Sequence, residues 1–156
     1  MIKKVYILVT FFAFIGILKV RATDPKSLKD YLVPKPKDLN ISQGEFTHNS
    51  GRIIAYGIAK NRGLRFSARY LQDILAKKGM NFFIAGNIAY GESPRIELII
   101  NPEKVRKVQG YHLEVSDQHI SITAHDEAGL YYGVLTFGQV LEYSVGKGGG
   151  SRLGNI

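Results

Sequence analysis

The 156-residue sequence contains no cysteine and no tryptophan. Without cysteine, the chain can form no disulfide, has no thiolate nucleophile and cannot carry a lipid anchor on a cysteine sulfur. The sequence also lacks the patterns of a phosphate-binding loop, a Gly-x-Ser-x-Gly nucleophile turn, a His-Glu-x-x-His zinc site and a dinucleotide fingerprint. These absences predict a chain without a cofactor.

The histidines are few and form no dense cluster of metal ligands along the chain; they are His48, His112, His119 and His125. His112 and His119 could share one side of neighbouring strands, but a metal ion would need a third ligand at a defined geometry. We therefore predict that both face solvent and that the chain holds no metal.

The N-terminus has the pattern of a secretory signal. Lys3 and Lys4 precede the apolar residues 5–18, a run shorter than the roughly 20 residues of a membrane span. Small residues at the end of the run predict cleavage after Ala22. We therefore assign residues 1–22 as a signal peptide and predict a secreted or periplasmic protein without membrane contact after cleavage, an uncleaved anchor being the alternative.

The charge of the exported chain is modest. Removal of the signal takes away four bases and no acid, which leaves 17 bases against 13 acids and a net charge of +4 rather than +8. A nucleic-acid partner needs a stronger basic signal, and export also argues against it. We therefore predict that the chain binds no nucleic acid.

Residues 110–142 carry the strongest pattern of secondary structure. Apolar and polar residues alternate in residues 111–115 and again from Ile120 to Ala124, with a short polar break between the two runs. This pattern predicts two strands joined as a hairpin. The period then changes to that of a helix. Asp126 is a suitable N-cap, and an apolar stripe follows at Leu130, Val134, Phe137 and Leu141.

The amino-acid sequence of this region resembles that of a known protein family. Residues 110–115 read Gly-Tyr-His-Leu-Glu-Val, residues 120–124 read Ile-Ser-Ile-Thr-Ala, and residues 128–139 read Ala-Gly-Leu-Tyr-Tyr-Gly-Val-Leu-Thr-Phe-Gly-Gln. They are similar to the domain that precedes the catalytic barrel in glycoside hydrolase family 20, the β-N-acetylhexosaminidases. Pro34-Lys35-Pro36 and the later Gly44-Glu45-Phe46 extend the resemblance over most of the exported chain.

The resemblance implies that no residue of this chain is catalytic. In that family an adjacent Asp-Glu pair in the barrel assists the acetamido group of the substrate, and no barrel sequence is present here. Asp126-Glu127 is an adjacent pair, but it lies at a predicted helix N-terminus, where capping accounts for both residues. The resemblance implies a barrel as partner, and the helix predicted to contact it comprises Leu130, Tyr131, Gly133, Val134, Phe137, Gly138 and Leu141.

The remaining patterns predict the fold. Strands are expected near residues 44–46, 52–56, 81–85 and 95–100, with an amphipathic helix over residues 62–78. Short links between successive strands favour an α+β domain with a largely antiparallel sheet and two helices on one face. We assign this domain to residues 23–143 and expect residues 144–156 to form a flexible glycine-rich tail.

Three hypotheses follow for the function. The first is an N-terminal, non-catalytic fragment of a secreted enzyme that hydrolyses terminal N-acetylhexosamine from glycans or chitin oligomers. The alternatives are a stand-alone secreted glycan-binding or adaptor domain and an incomplete gene product without function. Two surfaces would serve a binding domain, the basic helix face of Arg62, Arg65 and Arg69 and the tyrosines Tyr56, Tyr90, Tyr131 and Tyr132. A solvated face and packing in the core or against a barrel explain the same residues.

Overall fold

The structure is a computed structural model that describes residues 25–41, 45–46, 53–56, 62–85, 95–117, 119–148 and 153–154. The described residues form, in chain order, α1 (Pro25–Tyr31), β1 (Glu45–Phe46), β2 (Ile53–Tyr56), α2 (Arg62–Lys77), β3 (Phe83–Ala85), β4 (Arg95–Ile100), β5 (Tyr111–Val115), β6 (His119–Ala124), α3 (Glu127–Gly148) and β7 (Leu153–Gly154). The predicted signal, residues 1–22, and His48 lie outside the described residues. Within the described ranges, no helix is both long and apolar enough to span a bilayer.

The main sheet has five strands in the order β3-β2-β4-β6-β5. β2 pairs in parallel with β3 and with β4, and β4 pairs in parallel with β6. The β5–β6 hairpin supplies the antiparallel pairing, with Leu113 opposite Ile122. The fold is therefore α+β as predicted, but the prediction of a largely antiparallel sheet was wrong because three of these four pairings are parallel.

Two features of the chain path produce the parallel pairings. α2 separates β2 from β3, so the chain crosses over and returns in the same direction. β5 does not pair with β4. The next strand, β6, lies between them and pairs with both. The prediction assumed that strands joined by short links are neighbours in the sheet, and this assumption fails for β4 and β5.

The two long helices share one apolar core with the sheet. α2 contributes its apolar stripe of Leu64, Ala68, Leu71 and Leu75, and α3 contributes Leu130, Val134, Phe137 and Leu141. All eight side chains are buried. The facing strand residues include Ile54, Ile96, Leu98, Ile120 and Ile122. Strand residues on this face alternate with more polar ones on the other, as the period of two requires. The two predicted helices and the hairpin therefore build the core together.

A second, smaller cluster fastens the N-terminal segment to α3. Leu28 and Leu32 pack against Val140. Beside them, Gln139 exchanges two hydrogen bonds with the backbone of Val33: its side-chain oxygen accepts from the Val33 amide at 2.8 Å, and its amide donates to the Val33 carbonyl at 2.9 Å. α1 was missed from the sequence because its short apolar stripe has little periodicity to detect.

Beyond Tyr143, where the sequence pattern stops, the described residues 144–148 and 153–154 have regular backbone. α3 continues as helix to Gly148, and β7 pairs with β1 as a separate two-stranded antiparallel sheet. Phe46 of β1 is buried in the main core. The predicted strand near residues 44–46 is therefore present and joins two distant parts of the chain.

α3 approaches the sheet closely at Gly133. A Cβ there would lie 2.5 Å from Ile122 Cγ2 and 3.3 Å from the ring of Tyr111. Ile122 is fully buried, and a β-branched side chain has little rotamer freedom with which to move aside. At Gly138 a Cβ would instead meet the flexible end of Ile74, at 3.2 Å.

We therefore expect opposite effects from the same substitution at the two glycines. Gly133→Ala should lower the free energy of unfolding by about 1–3 kcal/mol, because the added methyl group overpacks the contact with Ile122. Gly138→Ala should be neutral or stabilising by up to about 1 kcal/mol, because alanine favours the helix and Ile74 can move. Urea unfolding of both variants measures this. Equal destabilisation at both positions would contradict the packing argument.

Candidate functional site

The adjacent acids Asp126 and Glu127 lie at the N-terminus of α3, where Asp126 precedes the first helical residue, Glu127. One carboxylate oxygen of Asp126 accepts a hydrogen bond from the Gly129 amide at 2.8 Å, which is the geometry of an N-cap. The other accepts from the Gln109 amide at 2.9 Å. These bonds, to Gly129 first and then to Gln109, together with the nearby His125, hold the pKa of Asp126 below its ordinary value of 3.8. A carboxylate with a lowered pKa stays charged and accepts hydrogen bonds from backbone amides. The capping interpretation of Asp126 is therefore confirmed.

Glu127 and His125 complete the junction at the start of α3. The Glu127 carboxylate occupies the space that a Cβ on Gly63 of α2 would take. His125 Nδ1 lies 2.7 Å from the Val105 carbonyl oxygen, and the His125 amide donates to the Gly110 carbonyl at 3.0 Å. The ring and the backbone amide of His125 thus tie the residue before the cap to the segment that precedes β5.

The turn before β5 is built for the same junction. Gln109 has a φ of 60°, in the left-handed region that a residue with a side chain adopts at a cost. Its amide is thereby directed at Asp126. Gly129 lies so close to the Gly110 carbonyl that a Cβ would not fit. The family-like residues Gly110 and Gly129 therefore form one contact between a turn and the start of α3.

The middle of the motif is used in the same way. The Tyr111 hydroxyl and Thr136 Oγ1 lie 2.6 Å apart and form a hydrogen bond between β5 and α3. Gln139, the last residue of the motif, holds Val33. The motif is consequently a set of internal contacts along α3, and it brings together no group of reactive side chains.

The described histidines do not form a site. His112 is opposite Thr123 in the register and therefore lies four residues along β6 from His119, roughly 13 Å at 3.3 Å per residue. His119 Nε2 is 3.2 Å from a carboxylate oxygen of Glu97. No group of three or more potential ligands among the described residues could hold a metal ion.

An exposed cluster of aromatic rings lies across α2 and α3. Its members, which we call the aromatic surface, are Phe66, Tyr70, Tyr131 and Tyr132. Their ring centroids are 5.4 to 6.4 Å apart in four contacts. Phe66 is 58% exposed and Tyr132 is 44% exposed. Tyr131 and Tyr132 were among the predicted binding residues, but Phe66 was not, and its signal in the sequence was its position off the apolar stripe of α2.

The structure places the residues predicted to contact a barrel in two different environments. Leu130, Val134, Phe137 and Leu141 are buried in the core of this domain. Gly133 contacts the sheet and Gly138 faces α2. Tyr131 is half-buried and belongs to the aromatic surface. The contact with a barrel stays a prediction, and the four core residues are already covered from within the chain.

The other predicted binding residues are placed only in part. Arg65 and Arg69 are exposed on α2, beside Phe66. The side chains of Arg62 and Tyr56, and all of Tyr90, lie outside the described part of the structure. The aromatic surface with its two arginines is therefore the candidate functional surface of the described residues.

Fold and motif define the class: an α+β domain whose recognisable residues serve internal packing. The chain belongs to glycosyl hydrolase family 20 as its domain 2, since the model of that domain matches residues 29–153. No curated protein matches the chain.

Solved structures show the same fold at low sequence identity. A β-N-acetylhexosaminidase from Bacteroides fragilis NCTC 9343 is 18% identical with a TM-score of 0.57, over 80% of this chain and 23% of its own. An inactive mutant of the family 20 exo-β-N-acetylglucosaminidase from Vibrio harveyi is 22% identical with a TM-score of 0.57, over 73% of this chain and 16% of its own. CpGH84D is 12% identical with a TM-score of 0.59, over 80% and 22%. This chain thus spans less than a quarter of each.

The capping role of Asp126 predicts a stability difference that depends on pH. Asp126→Ala should unfold at lower urea concentration than the unchanged chain near neutral pH, because two backbone amides lose their acceptor. A lowered folded pKa contributes stability above the unfolded value of about 3.9, and the contribution is lost as the pH falls through the folded pKa. The difference between the two proteins should therefore shrink in acid.

Asp126→Asn is the matched control, because it keeps one side-chain oxygen as an acceptor but cannot titrate. It should lie between the other two proteins near neutral pH. A difference between Asp126→Ala and the unchanged chain that stays constant from neutral pH to acid would contradict the charged cap.

Proposed function

We propose that this domain supports the catalytic barrel of a secreted β-N-acetylhexosaminidase. The parent enzyme would remove terminal N-acetylhexosamine residues from glycans or chitin oligomers. The domain itself would take no part in the chemistry, and its role would be to brace the barrel by packing. The observation that carries the proposal is that the residues of the family motif make contacts within the domain, along α3.

The arrangement of α3 supports a bracing role. Its start is held by Asp126, its middle by the bond between Tyr111 and Thr136, and its later part by Gln139. Its apolar side is fully occupied by the sheet. A helix fixed at three levels, with α2 packed beside it, presents a rigid outer face on which another domain can be positioned.

The proposal also rests on the size of the structural neighbours. This chain covers 23% of the Bacteroides fragilis enzyme and 16% of the Vibrio harveyi enzyme. Most of each neighbour therefore lies outside the region that resembles this domain. A catalytic barrel in the parent polypeptide would supply the hydrolytic activity.

The first test is to read the DNA that follows the codon of Ile156 in all three frames. We expect a frame that encodes a barrel with a His-x-Gly-Gly-Asp-Glu-like run. The polypeptide that joins both parts should hydrolyse a chromogenic N-acetyl-β-glucosaminide, and residues 23–156 alone should not. Removal of this domain from the joined protein should shorten its half-life at elevated temperature, because the barrel loses a packed face.

Two results would contradict the proposal. Hydrolysis by residues 23–156 alone that Glu127→Gln abolishes would make this chain itself catalytic. Absence of any barrel-encoding frame, with saturable binding of chitin oligomers to residues 23–156, would favour the stand-alone glycan-binding domain.

A further inference from the structure

The two outer strands of the main sheet, β3 and β5, differ in how their edges are protected. β5 carries the exposed charge of Glu114, and its Leu113 packs against the cluster that fastens the N-terminal segment to α3. β3 pairs with β2 on one side, and no strand among the described residues pairs with its other side. A row of backbone donors and acceptors along β3 is therefore available to a further strand.

The sequence around β3 lacks the residues that ordinarily keep an edge strand from pairing. Natural sheets block their exposed edges with charged side chains, prolines or bulges. Residues 79–91 contain no aspartate, glutamate, lysine, arginine or proline. β3 is only three residues long, which keeps any contact small, but nothing in its composition opposes one.

The side chains of β3 alternate between the two faces of the sheet. Ile84 packs against the core on the helix-covered face, so Phe83 and Ala85 lie on the opposite face. Phe83 is 72% exposed there. A large exposed ring and a small side chain thus lie two residues apart on the same face of one strand.

This spacing makes β3 complementary to a second copy of itself. If two β3 strands pair antiparallel about a two-fold axis at Ile84, Phe83 of each copy lies opposite Ala85 of the other. Each large ring then faces a small side chain, which allows close packing across the pair. A strand with a charged residue at that position would instead bring the charge against the ring of Phe83, at a cost in desolvation.

We infer that the open edge of β3 is a self-association site, through which two copies of this chain pair and join their sheets into one. The second copy is the partner because its own β3 supplies both an uncharged free edge and a small residue opposite Phe83. The contact belongs to the small and transient class of protein interfaces. This inference goes beyond the proposed function and does not depend on it.

Sedimentation of the exported chain, residues 23–156, over a range of concentrations tests the association. We expect a reversible equilibrium between monomer and dimer. Phe83→Lys should raise the dissociation constant at least about tenfold, because it removes the ring and places a charge at the edge. Phe66→Lys is the matched control, since it also replaces an exposed phenylalanine, 58% exposed on α2, and it should leave the dissociation constant unchanged.

The absence of cysteine allows the pairing itself to be tested with single thiols. A mixture of Phe83→Cys and Ala85→Cys chains should form a disulfide between copies, because positions 83 and 85 face each other. One contact between Phe83 and Ala85 remains in that mixed pair. Each variant alone should cross-link more slowly, since its two thiols are two residues out of register, beyond the separation of about 7 Å between Cα atoms that a disulfide can bridge.

Three outcomes would overturn the inference. The first is a chain that sediments as a monomer even at millimolar concentration. The second is a dimer that Phe66→Lys weakens and Phe83→Lys does not, which would assign the contact to the aromatic surface. The third is cross-linking in the mixture that is no faster than in either variant alone. Circular dichroism checks the fold of each variant, and Phe83→Ser against Phe66→Ser gives the same comparison if the lysine variants do not fold.

Discussion

The close contact of α3 with the β5–β6 hairpin is the constraint on which the rest of the domain depends. At Gly133 the helix backbone approaches Ile122 and Tyr111 within the space of a missing methyl group. The cost of glycine in a helix is offset by burial of Leu130, Val134 and Phe137 against the sheet. Once α3 lies at this distance, α2 packs beside it and the two complete one core.

The polar contacts act on the same interface rather than on solvent. Asp126 joins the start of α3 to the turn at Gln109, and the Tyr111 hydroxyl of β5 forms a hydrogen bond with Thr136 of α3. Gln139 then fixes the segment at Val33 to the outer side of the helix. Because these bonds lie at successive levels along α3, they oppose sliding and rotation, which apolar packing alone resists weakly. The residues that identify the family therefore position one helix, α3, on the sheet.

The sequence predicted the elements of this fold better than their arrangement. Periodicity located β2, α2, β4, the hairpin and the start of α3, because each buries one face on a regular spacing. The strand order was not predicted. The insertion of β6 between β4 and β5 depends on long-range packing, which leaves no local pattern in the sequence. Asp126 was recognised as a cap because capping is local. The second bond, to Gln109, joins residues 17 apart through a turn whose φ of 60° the sequence did not reveal.

The aromatic surface was the hardest feature to predict, and the reason is physical. Pattern analysis assigns apolar residues to the core of the chain under study, so Leu130 and Val134 are found by obeying the helical period. Phe66 lies off that period, so the pattern gives no reason for a phenylalanine there, and only the structure shows that its ring is exposed and contacts Tyr131. The residues that identify the family therefore describe how this domain holds itself together, whereas the exposed rings lie outside what its periodicity explains.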